Sequence, residues 1–219
     1  MSDKLTAIVK EYIDDFNKKK DLSYVVDYSI PIVWFGDIKK YEVSEKKIVT
    51  VALNPSYKEF EDDRFEIIDL DARDAPEMLA KTLCRYFKRN PYSWFHNFEK
   101  VLHGLNASYY EGVKDNRAIH IDIYSAIATN PTWGKLSETD KKLLQNTDLF
   151  KKLLSILNPD IIVFSANKEI FTEVFGDFKY ESGKENIGGK KGFFIRKYTK
   201  GKQVLLSGLN LKGQPFGGL

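Results

Sequence analysis

The sequence predicts an α/β fold with a largely parallel sheet and helices on both faces. Two observations support this. Apolar runs at 48–53, 118–129 and 160–166 read as strands, and stretches with helical spacing separate them. At 219 residues the chain suits one domain and can bury a real core.

Taken in order, Leu5, Ile8, Val9, Tyr12, Ile13 and Phe16 recur on one helical face, which predicts an amphipathic helix over 3–19. The segment "YSIPIVWFGDI", 28–38, reads as a short extended or loop piece. Strand 48–53 runs into Asn54-Pro55-Ser56, and residues 57–75, with Asp62, Asp63, Asp69, Asp71 and Asp74, read as an acidic and aromatic surface loop. Pro76-Glu77 opens a helix over 76–88, and a second helix covers 92–105.

"AIHIDIYSAIAT" alternates Ile119, Ile121 and Ile123 with His120, Asp122 and Tyr124, the period of a strand. Ser137, with Asp140 three residues on, caps a helix over 137–157. "DIIVFSA" is a buried strand followed by a helix near 167–175. "GFFIRKYT" and "KQVLLSGL" form a final strand pair joined at Lys200-Gly201.

Composition narrows the function classes. With 42% hydrophobic and 30% charged residues, the chain has the make-up of a soluble globular protein. No apolar run approaches the roughly 20 residues a membrane helix needs, so no membrane partner is expected. The N-terminal stretch has no apolar signal core, and the single Cys84 excludes an internal disulfide or a multi-cysteine metal site. A reducing, cytoplasmic setting and no cofactor are the expectations. A net charge of +3 neither demands nor excludes nucleic acid.

Ligands of open α/β sheets sit beyond the carboxyl ends of the strands. Polar groups gather there: Asn54 and Ser56, His120 and Asp122, Ser165 and Asn167, and Ser207 to Asn210. Each admits a blander reading as a helix cap or loop residue. No GxGxxG, Walker, HExxH or GxSxG motif occurs, and the glycines of "NIGGKKG" read as a loop.

In order along most of the chain, "VWFGDI", "VTVALNPSYKEF", "AIHIDIYSAIATNPTW" and "PDIIVFSAN" resemble the motifs of the uracil-DNA glycosylase-like superfamily. They look closer still to an uncharacterised bacterial branch bearing "FGD…LNPS…E" and "HxDx…AT.P.W". The resemblance implies a three-layer α/β/α sandwich around a mainly parallel four-stranded sheet, in a single domain over 1–219 with an N-terminal helical extension over about 1–27. It implies hydrolysis of the N-glycosidic bond of an unusual base in DNA or a nucleotide.

In that reading Asn54 positions water and Pro55 stiffens its turn. Ser56, Tyr57 and Phe60 contact substrate, with Phe65 a further aromatic platform, and Asp122 reads the base. Two departures mark this chain. Asp122 stands where the family usually has an amide, which suits a base edge bearing an amino group rather than uracil; the alternative is a buried acid paired to His120 or an arginine. The closing His-Pro-Ser is replaced by "LLSGLNLKGQPFGGL", leaving Asn210 or Ser207 as donors to the leaving base and Lys212 for phosphate. His120 is placed to compensate for the missing histidine. The alternative is a non-catalytic nucleic-acid or nucleotide-binding module on the same fold. A small-molecule enzyme of the nucleotide-binding α/β kind is disfavoured by the missing phosphate motifs.

Overall fold

A computed structural model describes residues 1–62, 64–65, 74–165, 168–187, 193–211 and 214–216. Asp63, Asp69 and Asp71 of the acidic loop, Asn167, most of the "NIGGKKG" loop and Lys212 lie outside the described residues. The chain divides into two compact units that interleave along the sequence. The first comprises Met1–Lys39, Leu53–Tyr92 and His120–Asn158; the second comprises Lys40–Ala52, Ser93–Ile119 and Pro159–Leu219.

The first unit is built on helix α1 (Asp3–Lys19), whose amide at Leu5 is capped by the Ser2 hydroxyl at 3.3 Å. Its six predicted apolar residues are all buried, each contributing about 1.5–3 kcal/mol of transfer free energy. They pack against two other helices of this unit, Pro76–Leu83 and Thr147–Leu157. Where the spacing predicts one helix over 137–157, the chain forms two. Glu138–Leu144 is capped by Ser137 as expected, and Thr147–Leu157 is capped separately by the Asn146 side chain. Asn146 favours a cap over a helix interior because its amide competes with the backbone ladder. Phe16, Val25, Ile127, Leu136 and Leu144 close a second small core, with Trp133 stacked on Tyr124 at 5.0 Å.

The second unit holds the sheet. In chain order the helices are α1, α2 (Ile38–Glu42), α3 (Pro76–Leu83), α4 (His96–Gly104), α5 (Glu138–Leu144), α6 (Thr147–Leu157) and α7 (Lys168–Phe175). The strands of the sheet are β1 (Ile48–Ala52), β2 (Ala107–Ser108), β3 (Asn116–Asp122), β4 (Ile161–Phe164), β5 (Lys179–Glu185), β6 (Phe194–Lys200) and β7 (Gln203–Gly208). They run in the order β2-β3-β1-β4-β7-β6-β5. The last three residues of β3 belong to the first unit. β2 with β3, β1 with β4 and β4 with β7 are parallel, whereas β6 and β5 add antiparallel.

An α/β fold with a mostly parallel sheet is therefore present, but the sheet has seven strands, not four. The count of four came from the resemblance; the residues themselves announce five of the seven strands and miss β5 and β2 for a physical reason. β5 is exposed at every residue, so "KYESGKE" shows no apolar alternation, and β2 is only two residues long. The predicted hairpin exists, with Gly201 at a left-handed φ of 58° in its turn, but β7 pairs inward with β4 and only β5 lies at that edge.

β4 has partners on both sides and is buried at Ile162, Val163 and Phe164, as a parallel interior strand should be. The polar Thr50 within the buried β1 is satisfied by the Tyr109 hydroxyl and the Ile119 carbonyl. A short hairpin, β8 (Asn210–Leu211) with β9 (Gln214–Pro215), brings Phe216 back over Gly208. A Cβ at Gly208 would stand 2.0 Å from the Phe216 ring, which is 2% exposed. Gly208→Ala is expected to destabilise the chain by about 1–3 kcal/mol through overpacking. In a Phe216→Ala background the same change costs less than half as much. Urea unfolding of the four variants in this cycle measures the coupling.

Candidate functional site

The segment after β1 is held by main-chain hydrogen bonds to residues 124–129. Tyr124 N–H donates to the Leu53 carbonyl (2.9 Å), Thr129 N–H to Pro55 (3.3 Å), and Tyr57 N–H to the Thr129 carbonyl (3.1 Å). Within this lacing the Asn54 amide nitrogen donates to the Pro55 carbonyl (2.6 Å) and the Ile127 carbonyl (3.2 Å), with the Thr129 hydroxyl at 3.4 Å. Three acceptors around one end of the amide fix which end carries nitrogen. Asn54 Oδ1 then points elsewhere. It is buried and accepts no hydrogen bond from the described residues. A rigid, desolvated acceptor of this kind calls for a donor.

Pro55 is buried, and Ser56, Tyr57 and Phe60 are half-buried. Ser56 makes no side-chain capping bond to the 3₁₀ turn Tyr57–Phe60. Phe60 lies against Phe65 at 5.1 Å, and Phe65 against Tyr86 at 5.5 Å. Those two rings therefore pin the loop to an aromatic cluster, a packing role distinct from the stacking platform that the resemblance implies. Lys58 Nζ sits 5.3 Å from the Tyr57 ring centre.

Between these aromatics lies a residue that the spacing of apolar positions did not single out. Glu59 is 5% exposed and accepts a hydrogen bond from the Tyr86 hydroxyl, which itself accepts from Tyr92 N–H at 3.1 Å. Burial raises the Glu59 carboxyl to about 8, against the Tyr86 hydrogen bond, with the Asp122 charge adding to the rise and Arg64 opposing it. Burial and the facing Glu59 push the Tyr86 phenol upward as well. The only sequence signal for Glu59 was its place as the closing Glu of "LNPS…E".

His120 and Asp122, on one face of β3, bring Nε2 and Oδ1 to 3.7 Å, and both side chains are buried. His120 is held by paired main-chain bonds to Phe35, at 2.8 and 3.0 Å, and its ring lies 5.8 Å from that of Phe35. Asp122 also raises the Tyr12 phenol on α1, after the larger effect of burial. Asn54, Pro55, Ser56, Tyr57, Glu59, Phe60, Tyr86, His120 and Asp122 thus all belong to the first unit.

The remaining predicted residues fall in the second unit. Ser207 is buried on β7, paired in register with Phe164 and Arg196, and Asn210 pairs with Pro215 in the β8–β9 hairpin.

No protein-family model and no curated protein matches the chain. Among the described residues no three His, Cys, Asp or Glu side chains gather as a metal-holding group, and no helix is long and apolar enough to cross a membrane.

The raised Glu59 has a consequence for stability. An unfolded glutamate loses its proton near 4.5, whereas the folded chain keeps it to about 8. Across that window the native state binds the extra proton, so stability falls as pH rises, by up to about 1.4 kcal/mol per pH unit. Glu59→Gln, which imitates the protonated form, is expected to flatten this slope. Urea unfolding of both proteins at several pH values across the window checks it.

Proposed function

We propose that the chain is a hydrolase of N-glycosidic bonds, of the uracil-DNA glycosylase-like kind, acting on an amino-bearing or modified base in DNA or a nucleotide. The observation that carries this reading is the Asn54 amide. Its hydrogens are engaged by main-chain carbonyls, so its oxygen is a fixed acceptor able to orient one water by accepting a hydrogen bond from it.

In the proposed reaction the bond between the sugar anomeric carbon and the base nitrogen breaks, and the electron pair leaves with the base. Glu59, protonated through neutral pH, gives its proton to that nitrogen. Water held by Asn54 adds its oxygen to the anomeric carbon and returns a proton to Glu59. The products are free base and sugar hydroxyl. Asp122 accepts a hydrogen bond from the base edge, with His120 beside it at 3.7 Å. Tyr86 acts as a positioning residue through its hydrogen bond to Glu59.

Release of free base from a panel of modified oligonucleotides and nucleosides tests the proposal. Asn54→Ala is expected to lower the rate by about 10²–10³ with the fold intact by circular dichroism. Absence of base release across the panel, or an Asn54→Ala rate equal to that of the native chain, overturns it. Salt-sensitive binding without turnover would instead assign the chain to the nucleic-acid-binding class.

A further inference from the structure

The second unit carries a groove with a lining of its own. Lys40, Val43, Ser44, Glu111, Gly112, Asp115 and Arg117 line a volume of about 420 Å³, within the range of small-molecule sites. Its frame is fixed by hydrogen bonds. Arg117 N–H donates to the Ser44 hydroxyl (2.8 Å), which donates to the Lys40 carbonyl (2.9 Å). Asn116, its neighbour on β3, takes Lys46 N–H on its side-chain oxygen (2.9 Å) and donates to the Asn106 carbonyl (3.1 Å).

Arg117 itself is the exception. The residue is 9% exposed, yet its guanidinium has no hydrogen-bond or ion-pair partner among the described residues. Most of the side chain is buried, so a charged fork with five donors and no partner among the described residues is held in place where a ligand entering the groove can take it.

We infer that this groove is a binding site for a small carboxylate, taken in bidentate fashion by Arg117. The guanidinium matches the planar, two-oxygen geometry of a carboxylate. The rim sets the charge. Glu111 and Asp115 share the groove with the two cations, and Asp115 is held there by the Asn106 amide at 2.7 Å. Two carboxylates on the rim repel a phosphate dianion more strongly than a monoanion. Gly112, with a φ of 74° and open space where a Cβ would stand, leaves main chain accessible on the same rim. The site is independent of the glycosylase reading and survives if that reading fails.

Titration of the ¹⁵N-labelled chain with sodium acetate, sodium N-acetylglycinate and sodium phosphate, each against matched sodium chloride, tests it. The carboxylates are expected to shift the Arg117 side-chain Nε–H signal and the amides of Ser44 and Gly112 saturably, with phosphate weaker. Arg117→Lys, which keeps the charge and loses the fork, should bind at least about tenfold more weakly. Responses equal to those in chloride, tighter binding of phosphate, or unchanged affinity in Arg117→Lys overturn the assignment. The Arg117 Nε–H signal of the native chain decides the matter even where a variant fails to fold.

Discussion

The main-chain lacing of residues 53–57 to 124–129 is the constraint on which the candidate site depends. A segment leaving a strand normally satisfies its amides and carbonyls in solvent. Here the Leu53, Pro55 and Thr129 carbonyls are matched within the protein, so the turn cannot relax. The same lacing supplies the acceptors that orient Asn54, because the Ile127 carbonyl and Thr129 hydroxyl come from the strip that docks on the turn. Asn54 at a proline-stiffened turn is common loop punctuation. What distinguishes it is that its amide is over-supplied at one end and unsupplied at the other.

Much of the architecture was legible because it follows from burial along one dimension. α1 shows all six of its core positions in the helical spacing, and Ser137 with Asp140 announces a cap that forms as read. The alternation at 119–122 locates β3, although the strand ends at Asp122 instead of running to 129 and is buried on both faces. The hairpin turn at Gly201 follows from a residue that adopts a positive φ without strain. The rest depends on tertiary context. The break at Asn146 shows in the sequence only as a shift of phase, Leu144 falling on the opposite side of a continuous helix from Leu149, Phe150 and Leu153. β5 is held by main-chain pairing with β6 and by cross-strand pairs such as Tyr180 with Tyr198 and Glu185 with Arg196, none of which gives the strand an apolar alternation.

The site was legible only in part, for a related reason. Asn54, His120 and Asp122 stand at strand ends, where sequence order points to a ligand, and the structure puts them in one unit. Glu59 and Tyr86 lie 27 positions apart, and their pairing arises only when the 57–60 turn folds against the aromatics after α3. A glutamate between Lys58 and Phe60 reads as surface, because acids are seldom buried without a partner. Its partner is distant in sequence, so neither residue announces the other.

The hydrogen-bonding character of these groups limits the substrate if the glycosylase reading holds. In that reading Asn54 holds the water and Asp122 faces the base edge, where a carboxylate can only accept. Uracil presents carbonyl oxygens on either side of its ring nitrogen, which would set lone pairs against that carboxylate. A base edge carrying an exocyclic amino group reverses that mismatch. Glu59 supplies the complementary element, a carboxyl that keeps its proton through neutral pH because burial and the nearby Asp122 charge both disfavour its anion. Two carboxyls in one unit thereby take opposite parts. In the proposed reaction one would accept from the base edge and the other donate to the departing nitrogen, and replacing Asp122 by an amide would weaken both parts at once, since the charge that helps hold the proton on Glu59 would be gone.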